Sequence, residues 1–207
     1  MSDSTFLLLP GWQNSGPAHW QSRWEQRHGY RRVEQHDWMR PLRGDWIARL
    51  QDVVLALEQG RAPDAPARIV LVAHSLGCQL VAAWAAASGL GGRIQAAFLV
   101  APGDPQRDEL SAVLASWLPV SRERLPFPSV LLGSQDDPYC SLAQAQQFAR
   151  AWGSQFVDYG KLGHINAASG LGDWPHGHAR LLALCRASRT APATFTPLEP
   201  PTSRSPS

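Results

Sequence analysis

Ser75, Asp137 and His164 are of the types, and in the chain order, that catalysis by a serine hydroxyl requires. The hydroxyl is too weak an acid to attack alone. A histidine can take its proton, and a carboxylate behind the histidine holds the correct tautomer and stabilises the imidazolium. The most informative stretch is Val70-Leu71-Val72-Ala73-His74-Ser75-Leu76-Gly77-Cys78, which reads as strand, tight turn and helix start. In a G-x-S-x-G turn the serine is lifted above the sheet edge, and the residues two before and two after it must be small to avoid collision. Ala73 and Gly77 stand there, so the steric requirement survives although alanine replaces the first glycine. The turn puts the Leu76 N–H at a helix N-terminus, where it can donate to an oxyanion with help from the helix dipole. A competing reading makes Ser75 a helix cap. The flanking strand and helix favour the nucleophile.

The acid and the base are expected at the carboxyl ends of later strands, where open α/β sheets build their sites. Val130-Leu131-Leu132 runs into Gly133-Ser134-Gln135-Asp136-Asp137-Pro138, and Phe156-Val157-Asp158-Tyr159 runs into Gly160-Lys161-Leu162-Gly163-His164. Ser, then acid, then His is the chain order of the α/β-hydrolase arrangement. Asp137 is favoured over Asp136 because Pro138 restricts its backbone; Asp136 then reads as a turn residue pointing away. Asp104, in Pro102-Gly103-Asp104-Pro105, reads as a turn or cap residue. His74 reads as structural. His176 and His178 could suggest a metal with His164, but no further ligand is spaced for one, so neither metal nor cofactor is expected. A second oxyanion donor should come from Pro10-Gly11-Trp12-Gln13-Asn14, with the Trp12 N–H as the choice because Gly11 lets the backbone approach closely.

The elements that must position these residues alternate along the chain. Strands are expected at Phe6–Leu9, Val33–Trp38, Arg68–Ala73, Ala96–Val100, Ser129–Leu132 and Gln155–Tyr159. Helices are expected at Asp45–Leu57, where apolar residues recur every three or four, and at Leu76–Ser88, Leu142–Trp152 and Trp174–Ala187. This alternation predicts six mostly parallel strands covered by helices on both faces. Right-handed crossovers and the hydrolase arrangement give the order second-first-third-fourth-fifth-sixth. The long connection from Gly103 to Pro128 is expected to hold a short helix near Leu110–Trp117 and a loop over the site. With 207 residues, 44% hydrophobic and 17% charged, the chain suits one globular domain, residues 1–187. From Ser188 it is rich in Pro, Ser and Thr and reads as a disordered, dispensable tail.

Net charge is +2 and no Lys/Arg block is longer than two, so nucleic acid is not an expected partner. Cys78, Cys140 and Cys185 form no disulfide framework, which suits a reducing compartment. The N-terminal apolar run is too short for a signal peptide or a span. A cytoplasmic protein without membrane partners is expected, as a monomer or small homo-oligomer.

At several of these places the chain resembles the small serine hydrolases related to retinoblastoma-binding protein 9. The resembling segments are Pro10 to Pro17 with His19-Trp20-Gln21, then Ala73 to Gly77, Asp136-Asp137-Pro138-Tyr139, Gly163-His164-Ile165-Asn166, Gly170 and Gly172-Asp173-Trp174-Pro175. The resemblance implies a minimal α/β-hydrolase core with little or no lid. It implies a triad on Ser75, Asp137 and His164, and a carboxylesterase- or aminopeptidase-like activity on a small acyl substrate. A catalytically silent, protein-binding use of the fold is the competing class, and the complete triad argues against it. A nucleotide-binding domain would need a phosphate loop, for which Pro10-Gly11-Trp12 is a poor candidate.

Overall fold

A computed structural model describes residues 4–59 and 68–190. Six strands form one sheet: β1 (Thr5–Leu9), β2 (Arg31–Arg32), β3 (Ile69–Ser75), β4 (Ile94–Pro102), β5 (Ser129–Gly133) and β6 (Gln155–Asp158). Their order is β2-β1-β3-β4-β5-β6. Every pairing is parallel. The helices are α1 (Trp20–His28), α2 (Arg43–Glu58), α3 (Leu76–Ser88), α4 (Ser111–Leu114), α5 (Leu142–Trp152) and α6 (Pro175–Thr190).

The apolar strands are continuous because both faces of the sheet are buried. Successive side chains alternate between the faces. Leu7, Leu9, Leu71, Ala73, Leu99 and Leu131 pack with Leu50 and Val54 of α2, Trp84 of α3, and Phe148 and Trp152 of α5. Leu8, Val70, Val72, Phe98 and Val100 pack with Trp20 and Trp24 of α1 and Leu181 of α6. Trp20, Trp24 and Trp174 cluster on this second side, with ring centroids 4.6 to 5.8 Å apart. Most tryptophans are therefore core.

The strand expected at Val33–Trp38 is corrected. Only Arg31 and Arg32 pair with β1, and the Val33 N–H donates to the Leu8 carbonyl as a last rung. Beyond it Asp37 accepts from the Met39 and Arg40 N–H groups, turning the chain out of the sheet. Helix α1 was not expected. At the other end α6 runs past Ala187 to Thr190, beyond the expected domain boundary. Gln95 Nε2 donates to Ser188 Oγ, and Arg189 donates to Ser4 Oγ. Residues 191–207, the rest of the expected tail, lie outside the described residues.

Candidate active site

Ser75 closes β3 with φ of 55° and ψ of −123°, a positive φ that non-glycine residues rarely adopt. This conformation ejects the side chain above the sheet. Ser75 makes no cap hydrogen bond to α3. Its hydroxyl instead donates to His164 Nε2 at 2.9 Å. His164 Nδ1–H donates to Asp137 at 2.8 and 2.9 Å. The His164 and Asp137 side chains are only 7% and 2% exposed, so the ion pair that proton transfer would create is shielded from water. Asp137 Oδ1 also accepts from the Tyr139 N–H, which fixes the carboxylate. The structure thus joins the three candidate residues from three separate strand ends.

The small residues of the turn have concrete neighbours. A Cβ on Gly77 would lie 2.1 Å from the Leu9 carbonyl oxygen and 2.9 Å from that of Pro10. These are backbone atoms and cannot swing aside. Gly77→Ala should therefore cost about 3 kcal/mol, lowering the melting temperature by on the order of 10 °C. A thermal melt within about 2 °C of wild type would show that the turn has slack. A Cβ on Gly11 would meet Ser75 Cβ at 2.6 Å and Leu76 N at 3.1 Å. That close approach brings the Trp12 loop against the serine.

Trp12 and Leu76 both line the cavity in front of Ser75. Leu76 is the first residue of α3, so its N–H has no acceptor within the helix. The Trp12 N–H has no backbone acceptor among the described residues. Arg32, with its side chain 8% exposed, ties this loop to α1. It donates to Asn14 Oδ1 and to the Ser15 carbonyl, and on the helix to Ser22 Oγ and Glu25 Oε2.

Asp136 does not simply point away. Its Oδ1 accepts from the Gly163 N–H at 2.8 Å and from Ser134 Oγ at 3.0 Å. Those bonds hold its carboxyl below the usual range, the Gly163 N–H having the larger effect. It fastens the His164 loop to the turn that carries Asp137. Asp104 is a turn residue, accepting from the Gln106 N–H. His74 Nε2–H donates to the His164 carbonyl at 2.9 Å. Burial, with His19 and His164 nearby, holds the His74 ring well below the usual histidine range. His178 bonds Tyr30 and stacks on His28, away from His164. Among the described residues no three His, Cys, Asp or Glu side chains are arranged to hold a metal.

Sequence reasoning missed His19, Gln79 and Gly103. Gln79 Nε2 donates to the Gly103 carbonyl at 2.7 Å. A Cβ on Gly103 would come within 3.4 Å of Ser75 Oγ and Leu76 N. His19 caps α1, its Nδ1 accepting from the Gln21 N–H. Only its place beside Trp20 in the Gly-Trp segment offered a signal. The cavity, about 380 Å³, is lined by Leu110 and Leu114 and also by Asn14, His19 and Asn166.

A family model described as serine hydrolase matches residues 6–183. No curated protein matches the chain significantly. Among solved structures, one described as a YdeN-like hydrolase from Pectobacterium atrosepticum is 29% identical, with a TM-score of 0.75, over 90% of this chain and 92% of that one. The ydeN gene product of B. subtilis is similar at 15% identity and TM-score 0.63, over 88% and 98%. The esterase RhEst1 from a Rhodococcus species shares the fold at 15% identity and TM-score 0.56, over 89% of each chain. The six-stranded parallel sheet is that of the α/β hydrolases, and with the family model spanning nearly all of it, the chain belongs to the serine hydrolase family.

Proposed function

We propose that this protein hydrolyses neutral esters of small alcohols through an acyl-enzyme on Ser75. The observation that carries the reading is the hydrogen-bonded line from Ser75 through His164 to Asp137, opening on a cavity that Trp12 and Leu76 also line. Ser75 Oγ attacks the ester carbonyl carbon while His164 Nε2 takes its proton, and Asp137 stabilises the imidazolium. The carbonyl oxygen becomes an oxyanion facing the Leu76 and Trp12 N–H groups. As the intermediate collapses, the bond to the alkoxy oxygen breaks and His164 returns the proton to it. Water, deprotonated by the same histidine, then attacks the acyl-enzyme, releases the acid and restores the serine.

The composition of the cavity favours esters over aminoacyl substrates. Its lining contains no Asp or Glu, hence no carboxylate to pair with a free ammonium group. Leu110 and Leu114 suit an uncharged acyl chain. The Gly-Trp and Gly-His segments support a place near the hydrolases related to retinoblastoma-binding protein 9. Three buried free thiols support a reducing, cytoplasmic setting. No described helix is long and apolar enough to cross a membrane.

A fluorophosphonate probe should label wild type on Ser75 and leave Ser75→Ala unlabelled. Phenyl butyrate should be turned over, and alanine p-nitroanilide should not. An unlabelled Ser75 removes the mechanism. Anilide turnover exceeding ester turnover replaces the ester reading with an aminopeptidase one.

A further inference from the structure

The loop that carries the Trp12 N–H has a strained backbone. Gln13 and Asn14 have φ of 67° and 64°, two consecutive non-glycine residues in the left-handed region. Such conformations are costly and persist only where the surroundings fix them. The Asn14 N–H donates to the Gly11 carbonyl, and the Gln13 N–H to the Trp38 carbonyl. The Trp12 indole donates to the Met39 carbonyl. The Asn14 side chain holds the far end of the turn, its Oδ1 accepting from the Ser15 N–H at 2.7 Å.

The same Oδ1 accepts from Arg32 Nη1, and so does the Ser15 carbonyl. Arg32 stands on β2 opposite Leu8, two residues before the loop begins at Pro10. The other side of its guanidinium is anchored on α1. Nε and Nη2 both donate to Glu25 Oε2, and Nη2 also donates to Ser22 Oγ. A guanidinium is planar, with donors in fixed directions, so one buried fork sets the loop against a strand and a helix. The other end of the loop is pressed on the nucleophile at Gly11, where a Cβ would lie 2.6 Å from Ser75 Cβ. None of the steps on Ser75, His164 and Asp137 uses this buried cation.

Building on the acyl-enzyme reading and on the Trp12 N–H as an oxyanion donor, we infer that Arg32 is a positioning residue for the oxyanion hole. It acts through Asn14, holding the left-handed turn so that the Trp12 N–H stands in place before the oxyanion forms. A donor that had to be ordered during the reaction would add that ordering to the barrier. Formation and hydrolysis of the acyl-enzyme both pass through an oxyanion, so the loss falls on kcat more than on KM.

The test uses phenyl butyrate at a temperature where circular dichroism shows every variant folded. Arg32→Met keeps an apolar stem and loses the fork. Removing a whole oxyanion donor costs about 10²–10³ in kcat, so loosening one should cost about 10- to 100-fold, with KM within about threefold. Asn14→Gly removes the Oδ1 that Arg32 holds, while glycine adopts the left-handed backbone freely. It should lose about tenfold in kcat and melt near wild type, and it decides the matter if Arg32→Met does not fold. The double variant should fall no more than about twofold below Arg32→Met, because both changes break one connection. A pentyl trifluoromethyl ketone supplies the readout that a merely structural role would not move. Ser75 Oγ adds to its carbonyl carbon, the serine proton passes to His164, and the ketone oxygen becomes an oxyanion. Its affinity should fall in step with kcat. Asn14→Gly with kcat within twofold of wild type, or ketone affinity unchanged while kcat falls, overturns the inference and leaves the hydrolase reading intact. A wild type that neither hydrolyses the ester nor binds the ketone overturns both.

Discussion

Kinetics on phenyl butyrate should show Ser75→Ala and His164→Ala each losing about 10⁴–10⁶ in turnover, with Asp137→Asn losing on the order of 10²–10⁴. The difference follows from what each change removes. Without Ser75 no covalent intermediate forms, and without His164 nothing takes the serine proton. Asp137→Asn keeps the shape but offers His164 Nδ1 an amide. The asparagine can place its NH₂ group there, favouring the tautomer that leaves Nε2 protonated and unable to accept from Ser75. Combining Asp137→Asn with Ser75→Ala should add almost nothing, because the three groups act as a unit. Asp136 supplies the internal contrast. Its Oδ1 accepts from the Gly163 N–H and Ser134 Oγ, and an asparagine oxygen can do the same. Asp136→Asn should therefore be mild, whereas Asp136→Ala frees the His164 loop and should cost about tenfold. If Asp136→Asn is the damaging change and Asp137→Asn the mild one, the acid is misassigned. If Ser75→Ala keeps most of its activity, the mechanism is wrong.

The parts of this site that were legible in the sequence are those where sterics and chain order leave few options. A nucleophile turn needs small neighbours, and Ala73 and Gly77 announce it. An acid and a base at later strand ends follow from the parallel alternation. Helix α2 was readable because its apolar positions repeat every three or four residues, and α3 because it is rich in alanine. Helix α1 was not, because half of its buried face is polar. Gln21 and Ser22 are buried beside Trp20 and Trp24. They are satisfied by distant partners: Gln21 Nε2 donates to the Val72 carbonyl and Ser22 Oγ to that of Ser15. No hydrophobic period records such bonds. Strand β2 was misplaced for a related reason. Val33 is buried as loop filling of the core, while the pairing residues are two arginines. Asp136 read as a turn residue because its partner Gly163 lies 27 residues away.

Lowering the pH from 7.5 to 5 should remove about 2 kcal/mol of folding stability through His19, with His74 acting in the same direction. The cause is the pair of buried histidines beside the site. His19 and His74 are 4% and 5% exposed, and burial holds both rings neutral in the fold. In the unfolded chain each titrates near 6.5. The sign follows directly. The folded pKa is depressed, so below pH 6.5 the unfolded chain binds more protons than the native state, and acid favours unfolding. Each ring contributes fully above the unfolded value. By pH 5, about 1.5 pH units below it, His19 has lost about 2 kcal/mol, and the depressed His74 adds a loss of the same sign. For His19 the loss continues down towards its folded value of about 3. A decrement of this size is a large share of the 5–15 kcal/mol typical of a domain, so the acid limb of the stability curve should be steep. Urea melts at pH 7.5 and 5 measure it, and His19→Asn should remove about 2 kcal/mol of the difference, since asparagine does not titrate. A pH dependence identical in wild type and His19→Asn would show that His19 is protonated inside the fold. The same protonation would place a cation two rings from His164, so the wild-type ester rate at pH 5, measured where the protein is still folded, provides a second reading of whether the ring stays neutral.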